Sequence, residues 1–295
     1  MDSNPEITVA FCVKNAEATV KEAIKSVLRQ NYPHKLIDLI IVDGHSKDKT
    51  VAIIRATLSK SDVRYRIFYE NEGLGYARQM AVDKARGQFI VWVDADLVLS
   101  HNYIQKLVEL MKRNPSLGIA AGKFGMVRQG NLVAALENID WVVGDYQKRK
   151  TLTPDPQRNC CAGAVFRISA IKQAGGFDSH IKGAGEDMDV GYRISKAGWS
   201  MYFGENALLL HKTRNTWKSI WDENFWYGYG GHYIMHKHKV TGSALSFAEV
   251  FQRPFVAYKL TGRKKSFLLP ILFFFKKIAW LSGFLKAHRD KYGHE

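Results

Sequence analysis

Along the first hundred residues, short apolar runs alternate with segments whose apolar positions recur every three or four residues. "ITVAFCV" predicts a strand, since β-branched and aromatic residues run on without a turn signal. "AEATVKEAIKSVLRQ" predicts a helix, with Val20, Ala23, Ile24, Val27 and Leu28 on one face. "LIDLIIVDG" reads as a buried strand ending on Asp43 and Gly44, and "DKTVAIIRATLS" as a second helix. "VRYRIFYE" reads as a strand with alternating faces, "GYARQMAVDKA" as a third helix and "QFIVWVDAD" as the next strand. This alternation predicts an α/β fold, with a mainly parallel sheet flanked by helices and right-handed crossovers.

The second half has a different texture. A long helix over "NLVAALENIDWVVGDYQKR" leads into "KTLTPDPQRN", where Pro154 and Pro156 predict a loop. "CCAGAVFRISAIKQAGGF" supplies small residues, a short helix and a stop at Gly175 and Gly176. "GAGEDMDVGYRISKAGW" reads as a glycine-rich loop entering a helix that ends at Gly198. "SMYFGENALLLHKT" predicts two short strands, the second ending at His211.

At 295 residues and 46% hydrophobic content, the chain can bury one large core with room for an appendage. Three cysteines, of which Cys160 and Cys161 are adjacent and Cys12 stands apart, argue against a disulfide framework and for a reducing, cytoplasmic setting. "MDSNPEITVA" lacks the basic and apolar regions of a secretory signal. The net charge of +15 raises nucleic acid, anionic lipid and phosphorylated substrates as partners. Residues 250–295 hold ten Lys or Arg against Asp290 and Glu295, so 10 − 2 = +8 of the excess sits in this tail. A recognition helix, an RNP-type strand and a zinc pattern are all missing from the sequence, which argues against a nucleic-acid reader.

The chemistry collects where this fold class binds ligands, at the carboxyl ends of strands. Asp43 falls at one such end, and Asp94 and Asp96 at another. Two carboxylates one residue apart repel and are costly to desolvate. Either they cap a following helix or they await a cation.

Five stretches in order resemble a known family: "TVAFCVKNAEATVKEAIKSVLRQ", "IIVDGHSKDKT", "NEGLGYARQMAVDKARGQFIVWVDAD", "GGFDSHIKGAGEDMDVGYRISKAGW" and "ALLLH". Together they cover most of residues 6–215 and resemble a family 2, GT-A-fold nucleotide-sugar glycosyltransferase. The resemblance implies inverting transfer of a sugar from a nucleoside diphosphate sugar, UDP or GDP, with Mn²⁺ or Mg²⁺, hard cations that suit oxygen ligands. It makes Asp94-Ala95-Asp96 the DxD motif, with Asp96 on the metal and Asp94 on the ribose or a metal-bound water.

By the same resemblance, Asp43 and Arg78 hold the nucleotide, the backbone around Val9 and Ala10 lines the base pocket, and His211 completes the metal shell. Gly44 stands where the family often has a second acid. Asp187 becomes the general base and Glu186 shapes the acceptor site, while Asp189 supports the helix start. A base suits a hydroxyl acceptor, on a glycan or lipid-linked glycan; a polyprenyl phosphate, already ionised, needs none. A polyprenyl-phosphate transferase and a non-catalytic nucleotide-sugar-binding protein are the alternatives.

The resemblance fades after His211, which divides the chain into a catalytic domain (1–215) and a basic, aromatic helical extension (216–295). Trp217, Trp221, Trp226 and Tyr227 either stack on acceptor sugars or pack between helices. His232, His236 and His238 invite a second metal site, but a plain surface or interfacial helix fits a basic segment without acidic or cysteine partners better. In "GRKKSFLLPILFFFKKIAWLSGFLKAHRDK" the longest uncharged run, Ser266–Phe275, is too short to span a bilayer. Its cationic flanks and dense apolar residues predict peripheral attachment to the cytoplasmic face of an anionic membrane. Burial against the catalytic domain, or an oligomer contact, is the alternative.

Overall fold

The computed structural model describes residues 5–127, 130–150, 161–181, 184–239 and 247–293; Pro154, Pro156 and Cys160 lie outside them. The chain divides into two compact units. The first takes its residues from Met1–Gly125, Thr151–Lys182 and Glu186–Lys212, the second from Met126–Lys150, Gly183–Gly185 and Thr213–Glu295.

The first unit is built on one sheet. Strands β1 (Ile7–Val13), β2 (Ile37–Asp43), β3 (Arg64–Tyr69) and β4 (Phe89–Trp92) alternate with helices α1 (Val20–Leu28), α2 (Thr50–Leu58) and α3 (Leu74–Lys84), as their patterns predict. There follow β5 (Leu97–Leu99), α4 (Tyr103–Arg113) and β6 (Leu117–Gly125). Beyond α5 (Leu132–Lys150) come β7 (Val165–Arg167), α6 (Ile168–Gln173), α7 (Glu186–Lys196) and β8 (Ser200–His211).

The spatial order is β3-β2-β1-β4-β7-β6-β8-β5. The pairs among β3, β2, β1 and β4 are parallel, as is β6 with β8; β7 runs antiparallel to both its neighbours, and β5 runs antiparallel to β8. Alternation along the strands serves a separate core on each face. Val9 and Phe11 pack with Ile24, Val27, Ile54 and Leu107 on one side. Ala10 packs with Ile40, Ala81, Trp92, Phe166 and Val190 on the other. Each fully buried aliphatic or aromatic side chain contributes roughly 1.5–3 kcal/mol.

One local expectation needs correction. The segment expected as two short strands is the single strand β8, whose register against β6 shifts between Ala121 and Lys123. A bulge absorbs extra residues without ending the pairing, so the break in apolar pattern at Gly204, Glu205 and Asn206 does not stop the strand. After β4 the chain turns and resumes as β5, so no helix follows Asp94 and Asp96 for them to cap.

The second unit is helical. It joins α5 to α8 (Trp217–His238), α9 (Phe247–Thr261) and α10 (Leu269–Arg289), around Leu136, Ile139, Val143, Ile220, Ala257, Leu269 and Leu272. The Thr216 hydroxyl caps α8 by accepting from the Ser219 N–H at 3.1 Å. Helices α8 and α10 run in the same direction, with Trp217 on Phe275 near one end and His232 beside His288 near the other. They approach until a Cβ on Gly228 would overlap the Trp280 carbonyl, and one on Gly283 the Phe225 carbonyl, so glycine is required at both crossings.

Lys276, which breaks the apolar run in the sequence, points inward. Its Nζ lies 2.5 Å from Glu137 Oε1 and 3.0 Å from Asp140 Oδ2, and Arg253 Nε donates to Asp140 Oδ1 at 2.8 Å. Although burial opposes ionisation, the two cations hold the Asp140 carboxyl well below its ordinary range. The helical segment Lys264–Arg289 is therefore more continuous than its charges suggest, and by length and composition it is long and apolar enough to cross a membrane. Its outward residues Phe267, Ile271, Phe274, Ile278, Leu281 and Leu285 are all exposed, Ile271 by 60%.

Candidate active site

The carboxyl end of β4 and the end of β8 are brought together by β5, in which Leu97 pairs with His211. Leu97 N–H donates to the Asp94 carbonyl at 3.0 Å, and Lys212 N–H to the Asp96 carbonyl at 2.9 Å. This short ladder sets His211 Nε2 3.4 Å from Asp96 Oδ2, with both side chains largely buried. Two ligands at right angles on an ion with bonds of about 2.1 Å are roughly 3 Å apart. The pair, a hard oxygen and an imidazole nitrogen, therefore fits one divalent cation.

Arg78, on α3, organises the adjoining carboxylates and is itself only 5% exposed. Its guanidinium lies over the Trp92 ring at 4.9 Å, a cation–π contact. Its Nε donates to Glu186 Oε1 at 2.8 Å and its Nη2 to Asp94 Oδ1 at 3.3 Å. One cation thus ties the end of β4 to the start of α7.

Glu186, Asp187 and Asp189 occupy the first turn of α7, where the helix dipole favours negative charge. Asp187 is half-buried and held by two backbone donors: Cys161 N–H to Oδ2 at 3.0 Å and Met188 N–H to Oδ1 at 2.8 Å. Burial raises its pKa against the pull of Arg78 and of these N–H groups. Burial, and then the neighbouring Asp187, push Glu186 up to about 7 against the pull of Arg78. Asp189 is fully buried and accepts from Arg193 Nε at 3.0 Å.

Asp43, 1% exposed, directs both carboxylate oxygens at Ser46, accepting from its N–H at 2.9 Å and its hydroxyl at 2.6 Å. Ser46 Oγ in turn accepts from Asn15 N–H at 2.9 Å, so the loops leaving β1 and β2 are laced together. Glu70, just past β3, donates its N–H to the Asp43 carbonyl at 3.1 Å, and its carboxylate lies against Gly44. An acid from the next strand thus stands beside position 44.

Arg78, Asp94, Asp96, Glu186, Asp187 and His211 all belong to the first unit, as do Val9, Ala10 and Asp43, whereas Trp217 and Trp221 belong to the second. Val9 and Ala10 are mid-strand and buried in opposite cores, with β2 and β4 paired on either side; the Ala10 carbonyl accepts from Val93 N–H at 3.0 Å. Glu186, expected at the acceptor site, directs its carboxylate at Arg78. Trp217 and Trp221, in the helical unit, both pack edge-on against Phe275, at 4.8 and 5.6 Å between ring centroids.

Sequence reasoning missed Trp92, Glu70, Cys12 and Cys161. Cys12 feels Arg78, Asp94 and Glu186, but burial pushes its thiol up to about 12; burial raises Cys161 well above its ordinary value. Neither supplies a thiolate nucleophile. The available signal was position: Cys12 lies near the carboxyl end of β1, and Trp92 two residues before Asp94.

The family model for "Glycosyl transferase family 2" matches residues 8–175. The poly-beta-1,6-N-acetyl-D-glucosamine synthase of Staphylococcus epidermidis is 23% identical over 231 residues, covering 78% of this chain and 55% of its own. The synthase of the same name from Staphylococcus aureus strain COL is 21% identical over 237 residues, 80% of this chain and 57% of its own. The chain thus spans just over half the length of the curated relatives it matches. Among solved structures, the mannosyltransferase PcManGT from Pyrobaculum calidifontis, in complex with GDP-Man and Mn²⁺, aligns with 98% of this chain and 88% of its own at TM-score 0.67 and 17% identity. S. aureus TarS 1-349, in complex with UDP-GlcNAc, aligns with 98% and 92% at TM-score 0.55 and 12% identity. At these identities the likeness is one of GT-A fold.

Proposed function

The chain belongs to glycosyl transferase family 2, and from that premise we propose that it transfers a sugar, with inversion, from a nucleoside diphosphate sugar to a hydroxyl of a glycan or lipid-linked glycan. One observation carries this reading: a pair suited to a cation, Asp96 with His211, shares one strand-end region with a half-buried carboxylate, Asp187, that backbone donors hold in place.

Asp96 and His211 would hold Mn²⁺ or Mg²⁺, which when bound neutralises charge on the departing diphosphate. Asp94 and Arg78 hold the nucleotide part, Arg78 being fixed for the task by Glu186 and Trp92. Asp43 acts through the loop it fixes with Ser46. Asp187 accepts the proton of the attacking hydroxyl. Its raised pKa suits that role, because a general base works best when its pKa is near the operating pH.

The helical extension is read as a peripheral membrane element. The exposed apolar residues of α10 continue onto α9 as Phe251, Phe255 and Tyr258, with Arg263, Lys264 and Lys265 between the two helices. That pairing of apolar face and cations matches an anionic interface. Spanning is disfavoured because α10 packs backbone to backbone along α8, whose Lys218, Asp222 and Glu223 would be drawn into hydrocarbon at a high cost.

The test is a thermal-shift panel of UDP, GDP, CDP and dTDP, each with and without Mn²⁺, on wild type and Asp96→Ala. One diphosphate stabilising only with metal, and failing to do so in the variant, is expected and identifies the donor base. Metal-independent stabilisation, or none, refutes the metal-dependent reading. Turnover in Asp187→Asn would point instead to an acceptor that is already ionised, a polyprenyl phosphate.

A further inference from the structure

We propose that the helical unit carries a transition-metal site, built by His232 and His236 of α8 with His288 of α10 and suited to Zn²⁺. This site goes beyond the glycosyl-transfer reading and shares no ligand with Asp96 and His211.

His232 and His236 are one helical turn apart, so they share a face of α8, and their ring centroids are 4.4 Å apart. His288, in the last turn of α10, approaches from the neighbouring helix, with its Nδ1 3.4 Å from His232 Nε2. One ligand nitrogen from each of the three residues falls within 4.8 Å of the others. Zinc–nitrogen bonds of about 2.0–2.1 Å in a tetrahedron put ligand nitrogens roughly 3.3 Å apart. His232 and His288 already have that separation, so closing the triad falls to His236, which is exposed at the end of its helix.

The second observation concerns protonation. His232 Nδ1 lies 2.8 Å from the carbonyl oxygen of Tyr292. A carbonyl only accepts, so Nδ1 carries the hydrogen and Nε2 presents its lone pair to the triad. A backbone carbonyl on the far ring nitrogen is the usual outer-shell support of a metal-ligating histidine. Here the support is well held: Tyr292 stacks on Tyr229 at 4.8 Å and meets Tyr233 at 4.9 Å, while the Tyr229 hydroxyl donates to Asp290 at 3.0 Å. His232 is fully buried, so its ring is held in this orientation.

Three imidazoles and no thiolate select Zn²⁺ and its later first-row neighbours over Mg²⁺ or Mn²⁺. Three protein ligands leave a fourth position for water, and the exposure of His236 and His288 leaves a route for the ion. The glycine crossing of α8 and α10 fixes the two helices before any ion arrives. A bound ion would clasp their carboxyl-terminal turns.

The experiment uses the full chain without a histidine tag, stripped with EDTA, dialysed, and titrated calorimetrically with ZnCl₂; Co²⁺ is added in parallel and its visible spectrum recorded. The expected result is one Zn²⁺ per chain, the intense visible bands of four-coordinate Co²⁺, and a rise in the melting temperature with zinc. His236→Ala and His288→Gln, both at exposed positions, should each lower zinc affinity by more than the roughly 10–100-fold lost with an outer-shell partner. Both should melt like wild type without metal. Asp96→Ala should bind zinc undiminished. Absence of stoichiometric zinc, or zinc binding that survives both histidine changes, would mean a hydrogen-bonded histidine cluster only. Loss of zinc in Asp96→Ala would place the ion in the sheet unit and equally overturn the proposal.

Discussion

Arg78 Nε and Glu186 Oε1 meet at 2.8 Å with both side chains almost sealed from water, although 108 residues separate them in the chain. Breaking one partner of a buried pair costs about 3–5 kcal/mol, because the other charge is stranded. Glu186→Ala should therefore lose stability of that order in urea unfolding. It should also weaken nucleotide binding, since Arg78 would no longer be oriented toward Asp94.

The same glutamate sets a pH dependence. Its pKa, about 7 in the folded chain against an ordinary value of 4.5, means that the folded state binds more protons than the unfolded state between those limits. Its contribution to stability is thus fullest below about pH 4.5, declines as pH rises through the window, and is flat above about 7. Glu186→Gln should remove this decline from unfolding midpoints measured between pH 4 and 8. An unchanged slope would assign the decline to other groups.

Asp187→Asn should cost roughly 10²–10⁴ in kcat, the usual worth of a general base, with donor affinity nearly intact. Calorimetric titration with the donor diphosphate and Mn²⁺, set beside initial rates, separates the two effects. A matching loss of donor binding would make Asp187 a positioning residue.

Lys276→Met should destabilise the helical unit by about 3–5 kcal/mol, since Glu137, fully buried, and Asp140 would then face each other with Arg253 alone. Adding Glu137→Gln should recover most of that loss, because it removes the one carboxylate left without a cation while Asp140 keeps Arg253. Thermal unfolding of the single and double variants decides it; no recovery in the double variant would trace the loss to packing around the lysine stem.

Wild type should float with anionic vesicles at low salt and be released as salt screens the lysines and arginines. Ile271→Ser with Ile278→Ser should reduce flotation in a salt-independent way, as each apolar side chain withdrawn from water contributes roughly 1.5–3 kcal/mol. Unaltered flotation of the double variant would separate membrane contact from this face of α10.

The sheet was legible because its strands carry continuous apolar runs: Leu39, Ile40, Ile41 and Val42 are all fully buried, which requires a strand covered on both faces. Helix α3 and the carboxylate ends were legible for a related reason, since chain order alone puts strand ends at one edge. The meeting of Asp96 with His211 rests on β5, three residues long and too short to leave a pattern. The nucleotide role expected of Asp43 rests on its place at a strand end; its bonds to Ser46 depend on the loop's backbone, which periodicity does not encode. The partnership of His232 with His288 needs two helices to cross at glycines, a contact that neither helix reveals by itself.

Lys276 changes what the surface of the helical unit means. A count of charges along α10 registers two lysines at mid-helix, yet one is turned inward to Glu137 and Asp140 and the other lies against the Trp280 ring at 4.6 Å. In a bundle folded for water, charge faces out and hydrocarbon faces in. Across this helix the arrangement is inverted, with an ion-pair network at the centre and Phe267 to Leu285 on the rim. The peripheral membrane contact proposed above would give that apolar rim its solvent.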